Sequence, residues 1–182
     1  MKLGILITDR VRDELIGQHG DYPDMFENLL LGTNNKVDIS RFYVQKFLPD
    51  KVDCDGYIIT GSRHSVYDDL PWIVELVGFI KEALSAGKKF IGVCFGHQLM
   101  AHHFGGLVEK SEKGWAVGVH KSEIILEQPW MKSSDGQSGP EFSLISSHQD
   151  QVVRMPSNAH LYATNDFCPI AGFIVGHQVM TV

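Results

Sequence analysis

A cysteine framed by glycines, in Gly92-Val93-Cys94-Phe95-Gly96-His97-Gln98, constrains this chain more than any other segment. It follows a short apolar run, Lys89-Phe90-Ile91, and opens a stretch through Phe104 that reads as a helix. A sharp strand-to-helix turn brings backbones close together, so side chains beside the turn must be small or absent. Glycine two residues before and two after the cysteine meets that need. The thiol then stands at a helix N-terminus, where unpaired N–H groups favour thiolate over thiol. A lone cysteine is usually a small buried apolar residue. Here the spacing, the strand and the helix agree, and they predict a nucleophile at Cys94.

The rest of the first half supplies the framework for such a turn. Lys2 to Thr8 reads as a buried strand, Tyr22 to Leu31 as a helix, Val37 to Val44 as a strand, and Gly56 to Thr60 as a strand apolar on both faces. Pro71 to Ala86 reads as a helix, with proline in its first turn and Gly87 just past its end. Lys89 to Val93 is the next strand. Short apolar strands alternating with helices predict a parallel sheet covered on both faces. The second half changes character. Glu123 to Leu126, Phe142 to Ile145, Gln151 to Val153, Leu161 to Ala163, Ala171 to Val175 and Val179 to Val182 are short strand candidates with few helices between them. They predict an antiparallel extension. Lys132 to Pro140 is rich in Ser and Gly and reads as a surface loop. The expected fold is α/β: a three-layer, flavodoxin-like sheet, mostly parallel with an antiparallel extension, with helices on both faces.

With 182 residues the chain reads as one domain, 1–182. A formal net charge of -6 gives no reason to expect nucleic acid or an anionic membrane as partner. Cys54, Cys94 and Cys168 are an odd number, without metal-type spacing, so free thiols, a reducing compartment and no metal are expected. The apolar run at Met1 to Thr8 is too short for a signal peptide. A cytoplasmic protein without a cofactor is the resulting expectation.

The cysteine motif, with Ile59 to Asp69 (ITGSRHSVYDD), Lys113 to His120 (KGWAVGVH) and Ser146 to Val152 (SSHQDQV), resembles the class I (triad-type) glutamine amidotransferases. It is most similar to stand-alone members related to the glutaminase domain of GMP synthetase and to gamma-glutamyl peptidases. Hydrolysis of a carboxamide by cysteine needs a nucleophile, an acid–base group, an oxyanion hole and a pocket for the acyl group. Cys94 supplies the first, and the Phe95 N–H is a natural oxyanion donor. Thr60-Gly61-Ser62 follows a buried strand, and the resemblance places the second donor there, on the backbone of Gly61 or Ser62. Gln98, four residues after Cys94, shares its helix face; the resemblance implies that it contacts substrate. The resemblance also implies that Ser147, His148 and Gln149 hold the amino-acid end of glutamine. His148 reads equally well as a hydrogen-bonded loop histidine. His97, one helical turn from Cys94, reads as structural. His64 reads as a solvated loop residue, and Lys113-Gly114-Trp115 as a loop bordering the entrance.

The resembled family carries its catalytic histidine and glutamate as His-x-Glu directly after the last core strand. Here that strand is Val179 to Val182, so both are expected beyond Val182. This predicts a domain truncated at its C-terminus, with the 182-residue chain lacking its base and inactive. His177 lies at the wrong end of that strand. The functions implied are a glutaminase that releases ammonia through a Cys94 gamma-glutamyl thioester, serving a separate synthetase; a gamma-glutamyl peptidase using the same thioester; or a non-catalytic binding module with the same fold. The substrate implied is glutamine or a gamma-glutamyl compound.

Overall fold

The computed structural model describes residues 1–32, 36–132 and 139–182. The Ser/Gly-rich loop expected over Lys132 to Pro140 falls largely outside them. Five parallel strands form the centre: β1 (Lys2–Ile7), β2 (Asp38–Tyr43), β3 (Gly56–Ile59), β4 (Lys89–Gly92) and β11 (Val179–Thr181), in the order β2-β1-β3-β4-β11. This is the strand order of flavodoxin-like sheets. All four residues of β3 and five of the six in β1 are buried, as expected of strands covered on both faces. The sheet continues antiparallel through β10 (Gly172–Val175), β9 (Ala159–Thr164), β6 (Ala116–Ile124) and β7 (Glu141–His148). The fold class is therefore the expected one: α/β with a parallel core and antiparallel strands.

The helices show why these segments fold as they do. In α3 (Pro71–Ser85), Ile73, Leu76, Val77, Ile80 and Ala83 recur at helical spacing and are buried. In α2 (Tyr22–Leu31), the Asp21 carboxylate accepts the Tyr22 N–H while Asp24 accepts the Asp21 N–H, so both ends of the first turn are satisfied. The elbow helix is α4 (Phe95–His102), and seven of its residues are buried. The main core gathers Tyr57, Phe79 and Phe90 with α3 and α4. The Tyr57 ring stacks on Phe90 with centroids 5.3 Å apart and meets the edge of Phe79 at 5.2 Å. Among the described residues no helix is long and apolar enough to cross a membrane.

Four details differ from the sequence reading. A short helix, α1 (Asp13–His19), has no buried residue, so it lacks the apolar stripe that would have marked it. The strand expected at Glu123 is the far end of a nine-residue strand that begins at Ala116. Its exposed face carries Val117 and Val119, and Gly118 interrupts the alternation with φ +107°. The segment around Val152 does not extend the main sheet. As β8 (Asp150–Arg154) it pairs antiparallel with β5 (Leu107–Lys110) in a separate ribbon packed on α4. The final strand, β11, belongs to the parallel core rather than to the extension, because it pairs in parallel with β4.

Candidate active site

Cys94 has φ 53° and ψ −101°, and it is the one non-glycine residue with positive φ among those described. L-residues held there store about 1–3 kcal/mol of strain, which the surrounding structure must sustain. Three backbone bonds do so. The Val93 N–H donates to Ile59 O at 3.0 Å, the Cys94 N–H to Val182 O at 2.8 Å, and the Val182 N–H to Gly92 O at 2.9 Å. The elbow is thus tied to β3 on one side and to β11 on the other. Gly92 and Gly96 are needed for contact. A Cβ on Gly92 would come within 2.6 Å of Gly96 O, and one on Gly96 within 2.7 Å of Ile59 O.

Burial pushes the Cys94 thiol up from its ordinary value; the Phe95 N–H opposes this, and the Asp150 carboxylate adds to the rise. The helix terminus was expected to favour thiolate; burial works against it.

Gly61 lies against the nucleophile: a Cβ built on it would stand 3.6 Å from Cys94 Cβ and 3.7 Å from Sγ. Two buried hydroxyls fix the turn. Thr8 Oγ1 meets Thr60 Oγ1 at 3.0 Å and donates to Gly61 O at 2.8 Å, while Thr60 Oγ1 accepts the Thr8 N–H at 3.0 Å. The C=O and N–H of a trans peptide point in opposite directions. With Gly61 O held toward Thr8, the Ser62 N–H faces away from it. No protein acceptor takes that N–H among the described residues.

Facing Cys94 is a cavity of about 120 Å³, lined among others by Ser147, His148, His120, Cys168 and Val182. Ser147 and His148 are the last residues of β7, paired with Val117 and Ala116 of β6, so they reach the site from a strand and not from a loop. Gln149, the single residue between β7 and β8, does not line the cavity; its carbonyl accepts the Ser111 N–H at 2.9 Å. His148 Nδ1 meets Asp150 O at 3.0 Å, and because a carbonyl only accepts, the proton is on Nδ1. This leaves Nε2 bare, 3.8 Å from Cys168 Sγ. Among the described residues that is the hydrogen-bonded thiol–imidazole contact; Cys94 has none.

Asp150, in the SSHQDQV segment, is a hub whose partners the sequence does not name. Its carboxylate accepts from Ser65 Oγ at 2.6 Å and Tyr67 OH at 3.1 Å, and its carbonyl from Gln98 Nε2 at 2.9 Å. Gln98 is buried, and its amide nitrogen is the group that holds Asp150. Gln98→Ala removes one of two donors to that carbonyl. A neutral bond is worth about 0.5–1.5 kcal/mol net, so KM for a gamma-glutamyl substrate is expected to rise roughly two- to tenfold with kcat little changed. Steady-state kinetics check this.

His97 is a packed residue. Its Nδ1 meets Thr181 Oγ1 at 2.8 Å and its ring lies against Phe173 at 5.2 Å. Burial pushes its pKa down to about 4 from 6.5. As pH falls below 6.5 the unfolded chain takes up a proton that the folded chain refuses until about pH 4. His97 therefore costs stability across that window, by at most about 1.4 kcal/mol per pH unit. Urea unfolding at pH 7, 6, 5 and 4 is expected to show a shallower loss for His97→Asn than for the wild type.

Among the described residues no group of three or more His, Cys, Asp or Glu side chains is arranged to hold a metal ion. His177 is exposed in the turn before β11, at the end of the strand away from Cys94. His64 faces a second cleft, described below, and meets Trp72 edge-on at 5.8 Å.

Known proteins resemble this chain in sequence and in fold. The chain is 34% identical over 149 residues to Gamma-glutamyl peptidase 4 of Arabidopsis thaliana, covering 80% of this chain and 59% of that protein. It is 29% identical over 157 residues to a glutamine-hydrolyzing GMP synthase subunit of Halobacterium salinarum, covering 86% and 77%. The chain thus spans about three fifths of the length of the plant peptidase. In fold it matches a crystal structure of glutamine amido transferase from Methylobacillus Flagellatus, with TM-score 0.75 and 22% identity over 98% of this chain and 67% of that one. The sequence pattern of the family described as Glutamine amidotransferase class-I matches residues 25–182, and the chain belongs to that family.

Proposed function

We propose that this protein hydrolyses the gamma-amide bond of a glutamyl compound through a thioester on Cys94. The observation that carries the reading is the strained, half-buried Cys94, held at the carboxyl end of β4 with the backbone of Gly61 packed beside it. A base takes the thiol proton as sulfur attacks the gamma-carbonyl. The oxyanion is met by the N–H groups of Phe95 and Ser62. The C–N bond breaks, and the amine leaves with the proton the thiol gave up. Water then cleaves the thioester, releasing the acid and restoring the thiol. Ser147 and His148, the latter bonded to the Asp150 carbonyl that Gln98 also holds, form the wall against which the glutamyl chain lies.

The base is the part for which the described residues offer no bonded candidate at Cys94. Val182 is hydrogen-bonded to the Cys94 N–H, so a His-x-Glu segment following Val182 would arrive beside the thiol. Ammonia release from glutamine is expected to rise by about 10²–10⁴-fold in a chain extended by such a segment. Equal rates would assign the base to His148.

The thioester itself is tested with a diazo-ketone analogue of glutamine, followed by peptide mass spectrometry. Label on Cys94 is the expected result. Label on Cys54 or Cys168 with Cys94 untouched would overturn the reading.

Two leaving groups share this chemistry. Release of ammonia fits a glutaminase that serves a separate synthetase, and the likeness to the glutamine-hydrolyzing GMP synthase subunit of Halobacterium salinarum supports it. Release of a larger amine fits a gamma-glutamyl peptidase. The likeness to Gamma-glutamyl peptidase 4 supports that second reading, and so does the cleft beside the oxyanion turn.

A further inference from the structure

A cleft of about 770 Å³ opens where the chain leaves β1, β2 and β3. From β1 the chain passes to β2 on one side and then to β3 on the other, so the order reverses there. In open parallel sheets such a reversal, at the carboxyl ends of the strands, is where ligands settle. The walls are fixed by named bonds. Asp9 Oδ2 accepts the Arg63 N–H at 2.9 Å and Arg63 Nε at 2.7 Å, joining the loop after β1 to the loop after β3. Gln45 Nε2 donates to Thr8 O at 2.6 Å, which holds the turn after β2 against the same loop. Lys46 stands on that turn and lines the cleft. Arg10, Arg12 and Arg63 each have a carboxylate partner, on Asp21, Glu14 and Asp9. Among the described residues Lys46 has none.

The cleft reaches the loop that follows the Gly61 turn. Gly61 faces Cys94, and two residues later Arg63 and His64 line the cleft. The glutamyl wall of Ser147 and His148 lines a separate cavity. Ammonia is a water-sized group, needing about 30 Å³. A cavity in the range of roughly 300–1,000 Å³ suits a much larger ligand.

We propose that this cleft receives the leaving group of a gamma-glutamyl compound, and that the Lys46 ammonium pairs with a carboxylate carried by that group. The inference rests on the gamma-glutamyl reading above. It makes the preferred substrate a gamma-glutamyl peptide with a free C-terminal carboxylate. As the C–N bond breaks, the peptide amine takes the proton released by the thiol, and the zwitterion remains in the cleft until it diffuses away.

The test is calorimetric binding to the Cys94→Ala chain, which cannot form the thioester. The probes are gamma-glutamylglycine, its C-terminal amide, and glutamine. The carboxylate form is expected to bind about fivefold tighter than the amide, the scale of a solvent-exposed ion pair, and less so in 1 M salt. Lys46→Gln should bring that ratio to near one, and Lys46→Arg should keep it. If carboxylate and amide bind equally while glutamine also binds, the leaving-group site is overturned and the gamma-glutamyl reading stands. If no probe binds, glutamine included, the gamma-glutamyl reading falls and takes this inference with it.

Discussion

Cys94→Ser is expected to abolish release of nitroaniline from gamma-glutamyl p-nitroanilide while leaving the fold intact. Nitroaniline is a weak base and leaves with little help from a proton donor, so this substrate removes the need for a general acid at the leaving group. Exchanging sulfur for oxygen changes little volume, and the elbow is held by backbone bonds that the substitution does not touch. The serine hydroxyl, however, is far harder to ionise than a thiol, and the partial burial of the site opposes charge there. Loss of a nucleophile from a hydrolase costs on the order of 10⁴–10⁶-fold. The checks are absorbance kinetics and a melting curve on the same two proteins. Residual turnover above one part in a hundred would assign the chemistry to another group, with Cys168 the first to substitute.

Gly96→Ala, the addition of one methyl group, is expected to damage both stability and activity. In an exposed helix interior alanine would gain about 1 kcal/mol over glycine. Here the added methyl would stand 2.7 Å from Ile59 O and 2.8 Å from Ile59 Cβ, against a central strand that cannot yield. Overpacking of this kind costs about 1–3 kcal/mol, so the clash wins over the helix preference. Relief requires α4 to move off β3, carrying the Phe95 N–H with it. A misplacement of about 1 Å at a catalytic group can cost 10²-fold in rate. Denaturant unfolding and nitroaniline release should therefore both report the change. Gly17→Ala, at a helical glycine with open space around it, serves as the control.

The parallel core was legible because its signals are local. Buried β-branched runs gave β1 and β3, and proline and glycine punctuated α3. The elbow announced itself through the spacing Gly92, Cys94, Gly96. What escaped the sequence was whatever depends on pairing across distance. Ser65 and Asp150 are 85 positions apart, and nothing in either segment names the other. Leu107 to Lys110 becomes a strand only because β8 folds back onto it. The burial that opposes a thiolate at Cys94 was not legible either, since a motif shows the helix terminus but not what packs around it. The same limit explains Gln98: its position on the Cys94 face could be counted, but its bond to Asp150 could not.

The two walls of the nucleophile's cavity differ in how they are fastened. Cys94 and Gly61 rise from β3 and β4, each paired on both sides at the centre of the sheet. Ser147 and His148 ride on the β6–β7 hairpin, which joins the sheet through two register pairs, Glu123 with Thr164 and Ile124 with Ala163. In hydrogen-exchange terms these belong to separate cooperative units. The amides of β3 and β4 should exchange only with global unfolding, and those of the hairpin through an earlier, partial opening. On warming, substrate affinity should accordingly decay several degrees below the temperature at which the sheet itself melts, with the nucleophile still seated in an ordered core.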